Sequence, residues 1–279
     1  MKDYIVCNFS GGKDSTAMVL RMIELGEHID EVVCCDTYKE FPAMYRHIDK
    51  VRKIIEEHGI KFTMLRSEKS FDYLMFEHKA KPREGNIQRD GYSWAGPRNR
   101  WCTSRLKVDI MEKYFLDLKK KHKIVRCIGI ALDEEYRLER QYANKDGFRF
   151  PLVEWRWEEK QCIEYCRARG FDWEGLYDIF DRVSCWCCPL QSLEDLRKLR
   201  KNFPDLWLEL QDMDNRTWRN FKAGWSVTDL EKRFALEDEF TARGESIKSA
   251  EFYRKLKVLL GRPLSIEEQD AEKQVSFFE

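Results

Sequence analysis

Two groups of residues in this sequence have the types and spacing to do chemistry. The first is Ser10-Gly11-Gly12-Lys13-Asp14-Ser15. Adjacent glycines let backbone amides approach a ligand closely, Ser10 and Ser15 add hydroxyl donors, and Lys13 adds a positive charge. At the start of a helix such a loop suits an anion, phosphate above all. A Walker A loop needs a glycine five residues ahead of its Gly-Lys pair, and Cys7 stands there, so that reading fails. A turn that binds nothing is the remaining alternative. The second group is Ser184-Cys185-Trp186-Cys187-Cys188-Pro189. Its three cysteines, with Cys102 far upstream, supply four thiolates to one centre once a fold gathers them, and both an iron–sulfur cluster and tetrahedral zinc accept four cysteines. Thiolate density of this kind is otherwise a liability to oxidation inside a cell.

The elements that must position these groups follow from the apolar pattern. Tyr4-Ile5-Val6-Cys7-Asn8-Phe9 reads as a strand, and the helix after the loop runs on to Gly26. The apolar run 31–35 stops at Asp36 and reads as a second, buried parallel strand. Ligands of open α/β sheets sit outside the carboxyl ends of the strands, which places Asp36 and Thr37 beside the loop. Cys34 and Cys35 read as packing residues of that strand. Pro42 suits a first helical turn, and Met44, Ile48, Val51 and Ile55 keep one helical face until Gly59. Residues 60–65 and 124–130 read as further strands, the latter carrying Gly129, and 148–153 as an edge strand where Pro151 is tolerated. Residues 158–169 and 173–181 read as helices, with Cys162 and Cys166 one turn apart, as packing residues or, in the alternative, as contributors to the metal centre.

Between these elements, residues 79–101 form a polar, glycine-punctuated loop with Lys81, Arg83, Arg89, Arg98 and Arg100 interleaved with Tyr92, Trp94 and Trp101. Basic residues with aromatics hold phosphates and stack bases, so the loop is a candidate nucleic-acid contact; a solvated lid has the same composition. Arg137 and Arg140 can receive anionic oxygens from the side opposite the glycine loop, and ion pairing along a helix surface accounts for them equally.

Phe9-Ser10-Gly11-Gly12-Lys13-Asp14-Ser15 resembles the pyrophosphate loop of the N-type ATP pyrophosphatases, and Asp36-Thr37-Tyr38-Lys39-Glu40-Phe41-Pro42 resembles the second motif of its phosphoadenylylsulfate reductase branch. The resemblance covers the chain through Gln191. It implies an adenine nucleotide alpha hydrolase-like α/β fold: an open, mostly parallel five-stranded sheet with helices on both faces, followed by a helical module that carries the cysteine cluster. It further implies ATP or another adenine nucleotide, with Mg, held by Ser10 to Ser15, Asp36, Thr37, Gly129 and Arg140, with Lys13, Asp14, Lys107 and Arg137 as catalytic groups. Cys102 to Lys107 is similar to the family's cysteine-then-lysine segment, and the resemblance favours a 4Fe–4S cluster over zinc on Cys102, Cys185, Cys187 and Cys188. Sulfonucleotide reductases carry a catalytic cysteine in a C-terminal Glu-Cys-Gly segment, whereas no cysteine follows Cys188 here. The chain is therefore closer to tRNA thiolases and DNA-phosphorothioation subunits, in which activation by AMP accompanies sulfur delivery, with a sulfur donor protein as a further expected partner. A nucleotide- and metal-binding module without turnover is the other class.

Composition sets the limits. In 279 residues, 43% are hydrophobic and 36% charged, with Lys+Arg and Asp+Glu both at 50, so the whole-chain charge does not announce a polyanionic partner. The sequence contains no apolar run near the membrane-spanning length and no basic-then-apolar leader, from which a cytoplasmic protein without membrane contact is expected. Its ten cysteines are then expected to be reduced. Residues 1–155 read as the nucleotide-binding domain and 156–279 as a helical region with amphipathic helices at 193–200, 206–213, 230–240 and 252–260, packed through Trp207, Trp218 and Trp225. The tail Gln274-Val275-Ser276-Phe277-Phe278 resembles the short motif by which bacterial proteins hold the sliding clamp; packing of its phenylalanines on the chain's own helices is the alternative.

Overall fold

The computed structural model describes residues 3–79, 88–138 and 146–264. Five strands, β1 (Asp3–Phe9), β2 (Glu31–Cys35), β3 (Lys61–Leu65), β4 (Lys123–Ile128) and β5 (Phe148–Arg149), form one sheet in the order β3-β2-β1-β4-β5. Every pairing is parallel, with Val6 opposite Glu31 on one side of β1 and Tyr4 opposite Ile124 on the other. Parallel strands need crossover connections, and helices α1 (Lys13–Glu24) and α2 (Pro42–Glu57) supply the first two. The chain steps outward from β1 to β3, then returns to the other side of β1 for β4, so the order reverses at the carboxyl end of β1. The glycine loop leaves from that point.

Alternation along β1 assigns its two faces. Val6 packs with Val33, Phe115 and Ile124 under the helix Asp109–Lys119. Cys7 points the other way, its Sγ 3.6 Å from Met22 Sδ of α1. Helices thus cover both faces, and α1 also packs against the helix Glu159–Arg167. The α1 core side is continuous, from Thr16 through Leu20 and Met22, because a helix over a fully buried sheet has little solvent-facing surface.

The chain divides into two compact units, Met1–Glu68 with Cys102–Cys185, and Lys69–Trp101 with Trp186–Glu279. The first holds the sheet. The second holds the helices Leu193–Asn202, Pro204–Asn215, Val227–Ala242 and Ala250–Leu260. Their starts carry the expected signals: Ser192, Ser226 and Ser249 accept a hydrogen bond from a first-turn amide, and Pro204 opens its helix. The core of this unit includes Trp94, Trp207, Phe221, Phe234, Phe240 and Phe252.

Three expectations are corrected. Pro151 does not continue an edge strand; β5 ends at Arg149 and Pro151 opens the short helix Pro151–Glu154, where its missing N–H costs nothing. Trp94 and Trp101 are core residues and cannot stack on bases: Trp94 Nε1 donates to Asp214 Oδ1 at 2.7 Å and Trp101 Nε1 to the Ser93 carbonyl at 2.9 Å. Burying their large rings outweighs the polarity of the surrounding loop. Trp218, expected to pack, is 48% exposed. Arg140, Lys81, Arg83 and the segment 274–278 lie outside the described residues.

Candidate functional site

The loop at the end of β1 is built by its own hydroxyls. Ser15 Oγ accepts from the Ser10 amide at 3.1 Å and donates to the Gly12 carbonyl at 3.0 Å, so one side chain closes the turn from both ends. Gly11 sits at φ +80, and a Cβ there would stand 2.8 Å from Ile48 Cγ1 and from Met44 Sδ. Both conformation and space therefore demand glycine. Gly12 occupies the N-cap of α1 without a side-chain cap, so the first amides of the helix have no carbonyl partner within it. The Lys13 amide donates to Tyr177 Oη at 3.1 Å. An uncapped helix N-terminus with a lysine in its first turn is an anion site in waiting.

The lysine is already charged and held. Lys13 Nζ lies 3.0 Å from Asp14 Oδ2 and 2.7 Å from Glu159 Oε2. Burial works against the ammonium, but Asp14 and Glu159 overcome it and hold its pKa above the ordinary lysine value. Burial pushes the Asp14 carboxyl up to about 6, against the pull of Lys13, and among the described residues buried Asp14 Oδ1 has no hydrogen-bond partner. A carboxyl whose pKa folding raises costs nothing below its unfolded value of 3.8 and costs most once the pH has passed 6. Asn at position 14 removes that cost while Lys13 keeps Glu159. The expected result is that Asp14→Asn melts higher than the native chain at pH 8, by an amount on the order of 3 kcal/mol at most, with the gain gone by about pH 4. Parallel melting profiles across that range would show that the carboxyl is not desolvated.

Residues distant in sequence brace the loop. Trp173 Nε1 donates to the Gly11 carbonyl at 2.7 Å, and its ring stacks on His47 at 4.4 Å. His47 Nε2 is 3.0 Å from Thr16 Oγ1, and burial pushes the imidazole down to about 3, so it stays neutral. Gly129, at the end of β4, touches the loop from the other side: a Cβ there would stand 2.9 Å from Ser15 Cα and 3.0 Å from its amide nitrogen. Neither backbone atom can swing aside. Gly129→Ala is expected to weaken nucleotide binding about tenfold with β4 still formed, measured by calorimetry beside a circular-dichroism melt; native affinity would mean that the loop tolerates displacement.

Beside the loop, Asp36 closes β2. It is 5% exposed, and its carboxylate accepts from the Tyr38 amide at 2.7 Å, Tyr45 Oη at 2.8 Å and Arg66 Nε at 2.9 Å. Tyr38 takes φ +66, a conformation a tyrosine adopts at a cost, held by its hydroxyl donating to the Ser67 carbonyl at 2.7 Å. Thr37 Oγ1 donates to Glu40 Oε1 at 2.8 Å, and the Cys185 thiol donates to the same oxygen at 3.4 Å. Lys107, on the turn Ser104–Val108, joins this group. Burial opposes its charge, but Cys185, Glu40, Cys35 and Cys102 hold its pKa above the usual value. Burial pushes the Cys35 thiol up to about 11, with Lys107 pulling the other way.

The first unit therefore brings together Ser10, Gly11, Gly12, Lys13, Asp14, Ser15 and Gly129 in one place, and Asp36, Thr37, Lys107, Cys102 and Cys185 around the end of β2. Arg137 pairs with Glu134 at 2.5 Å, an ion pair one turn apart on the chain surface. Cys162 and Cys166 are buried under α1, Cys166 Sγ lying 3.7 Å from the Lys13 carbonyl. None of the ten cysteines forms a disulfide. Cys187 and Cys188 belong to the second unit. Among the described residues no three His, Cys, Asp or Glu side chains are arranged to hold a metal ion. The donor chemistry fits a soft metal nonetheless, since Cys102 and Cys185 share the positive neighbour Lys107. Tyr177, Trp173, Glu159, His47 and Glu40 were not singled out from sequence; Glu40 carried a signal as part of the Asp36 to Pro42 motif, and His47 as a polar residue on the apolar face of Met44, Ile48 and Val51.

A phosphoadenosine phosphosulfate reductase domain model matches residues 4–191, from the first residues of β1 to just beyond the cysteine triplet. The chain belongs to this family. Two uncharacterized proteins of Methanocaldococcus jannaschii are each 26% identical to it, over 81% and 77% of this chain but only 45% and 49% of their own length. The chain spans about half the length of the curated relatives it matches. A solved structure, the U34-tRNA thiolase NcsA from Methanococcus maripaludis with its 4Fe–4S cluster, is 16% identical with a TM-score of 0.38, covering 77% of this chain and 73% of that one. The family match ends at 191, and the helices beyond lie outside the phosphoadenosine phosphosulfate reductase domain model. Among the described residues no helix is long and apolar enough to cross a membrane.

Proposed function

We propose that this chain is an ATP pyrophosphatase that adenylates an oxygen of its substrate and supports sulfur transfer to the activated position. The observation that carries the reading is the uncapped N-terminus of α1, with Gly11, Gly12 and Lys13 at the reversal point of the sheet. The loop amides and Lys13 take the phosphates, Glu159 giving up its ion pair as they arrive. Asp14, whose Oδ1 has no hydrogen-bond partner among the described residues, would hold the Mg ion that accompanies ATP. The substrate oxygen bonds to the α-phosphorus, the bond to pyrophosphate breaks, and the hydroxyl proton passes to solvent. A poor leaving group thereby becomes AMP. Arg137 exchanges Glu134 for nucleotide oxygens.

Thiolates of Cys102, Cys185, Cys187 and Cys188 hold an iron–sulfur cluster in this reading, with zinc as the alternative metal. Such a cluster would supply an iron site for sulfide delivered by a sulfur donor protein, and sulfur bonding to the activated atom would expel AMP. Lys107, whose charge is kept by its neighbours despite burial, would offset the charge of metal-bound thiolates at Cys102 and Cys185. A sulfonucleotide reductase would use the same loop for a different nucleotide, and a non-catalytic module would bind ATP without cleaving it. Calorimetry with ATP–Mg against 3′-phosphoadenylylsulfate separates the first pair: ATP is expected to bind at least tenfold more tightly. The reverse preference would assign the chain to sulfonucleotide chemistry.

A further inference from the structure

The second unit carries a basic surface that the nucleotide site does not use. Residues 88–100 and 212–220 lie far apart in the chain and are pinned together at three points. Trp94 Nε1 donates to Asp214 Oδ1 at 2.7 Å, the Arg219 amide donates to Ser93 Oγ at 3.1 Å, and Trp218 Nε1 donates to the Gly91 carbonyl at 3.4 Å. The junction is rigid because Asp214 also accepts from the Val227 amide at 2.6 Å and Trp94 packs edge-on against Phe221 at 4.9 Å. Its solvent side gathers charge. Arg89, Arg98, Arg216 and Arg219 are all exposed, and Arg219 reaches to within 3.7 Å of where a side chain on Gly96 would begin.

Two features distinguish this surface from an ordinary solvated one. Among the described residues no carboxylate pairs with Arg89, Arg98 or Arg219, whereas Arg216 has only the exposed Asp212 at 3.5 Å. In a chain with 50 basic and 50 acidic residues, most exposed arginines elsewhere have an acidic partner, so the imbalance is local. In addition, Trp218 is 48% exposed, with the Arg89 guanidinium 4.4 Å from the ring centroid. Leaving an indole half in water forfeits apolar burial, and what recovers it is a flat apolar partner. A guanidinium–indole stack flanked by arginines without carboxylate partners offers a base its π-face and the backbone its counter-charge.

We propose that Arg89, Arg98, Arg216, Trp218 and Arg219 form a binding surface for single-stranded nucleic acid. The inference deepens the proposed function by naming the class of acceptor and rests on it for that role alone; binding itself needs neither ATP nor metal. The surface is preformed by buried hydrogen bonds and ring packing, so little ordering entropy opposes binding. Single strands fit better than duplex, because stacking on Trp218 requires an exposed base face.

The test uses the full chain and fluorescein-labelled oligonucleotides of about 20 nucleotides and mixed sequence, as single-stranded DNA, single-stranded RNA and duplex DNA, with anisotropy read across a salt series and no nucleotide present. The native chain is expected to bind single strands more tightly than duplex. Arg98→Ala with Arg219→Ala is expected to weaken binding at least tenfold and to flatten the slope of log affinity against log salt by roughly 1.4, about 0.7 for each phosphate no longer neutralised. Trp218→Ala is expected to cost about tenfold at an unchanged salt slope, the scale of one base–aromatic stack. The DNA and RNA arms identify which polymer is preferred. Melting temperature and ATP affinity, unchanged in these surface variants, show that fold and nucleotide site are intact. The proposal is overturned if the native chain binds no oligonucleotide at low salt, if duplex is preferred, or if the variants bind like the native chain. Oligonucleotide binding is read without ATP and ATP binding is read without oligonucleotide, so failure of either idea leaves the other measurable.

Discussion

Lys13→Ala is expected to lower ATP affinity by roughly tenfold to a hundredfold, the range of a charge-assisted hydrogen bond worth about 1.5–3 kcal/mol. The structure explains why the effect is large. Lys13 is already desolvated and charged, so its removal deletes an ammonium whose burial has been compensated by Asp14 and Glu159. Ser15→Ala is expected to weaken binding by a similar factor through a different route, since Ser15 Oγ joins the Ser10 amide to the Gly12 carbonyl and its removal loosens the loop. Melting temperatures sort the two effects. Neither residue supports the sheet core, so both variants should fold. Unchanged nucleotide affinity in both would remove the phosphates from this loop.

Loss of metal is the second large effect. Anaerobically purified protein is expected to be brown, with iron and acid-labile sulfide near four each per chain if the centre is cubane-like. Serine at Cys102, Cys185, Cys187 or Cys188 is expected to abolish iron binding in each case. If only three of the four prove necessary, one iron is left open to sulfide. Elemental analysis that returns one zinc and no iron would make the centre structural. Serine at Cys162 or Cys166 serves as the control, because both thiols are fully buried under α1 and should leave iron content unchanged.

Much of the fold is legible because its elements carry complete local signals. β1, the glycine loop and α1 read directly, as do β2 up to Asp36 and α2 between Pro42 and Gly59. The parallel order follows from strands alternating with helices. The bracing of the loop is not legible. Trp173, Tyr177 and Glu159 reach it from far along the chain, and nothing local to them marks a phosphate site. Tryptophans mislead in both directions. Trp94 and Trp101 stand amid arginines and glycines yet are core, whereas Trp218 stands among amphipathic helices yet is half in water. Residue type fixes how much apolar area can be buried, but only the tertiary neighbours decide whether it is. Pro151 reads as a tolerated edge-strand residue and not as a helix start, because its fixed φ suits both.

The central claim, cleavage of ATP between its α- and β-phosphates at the Ser10 to Ser15 loop, is tested most directly by separating the products of ATP incubated with the native chain and single-stranded nucleic acid. Equal amounts of AMP and pyrophosphate, dependent on the acceptor and abolished in Lys13→Ala, are the predicted result. ADP and phosphate, or intact ATP under conditions in which the chain is saturated with nucleotide and acceptor, would contradict it.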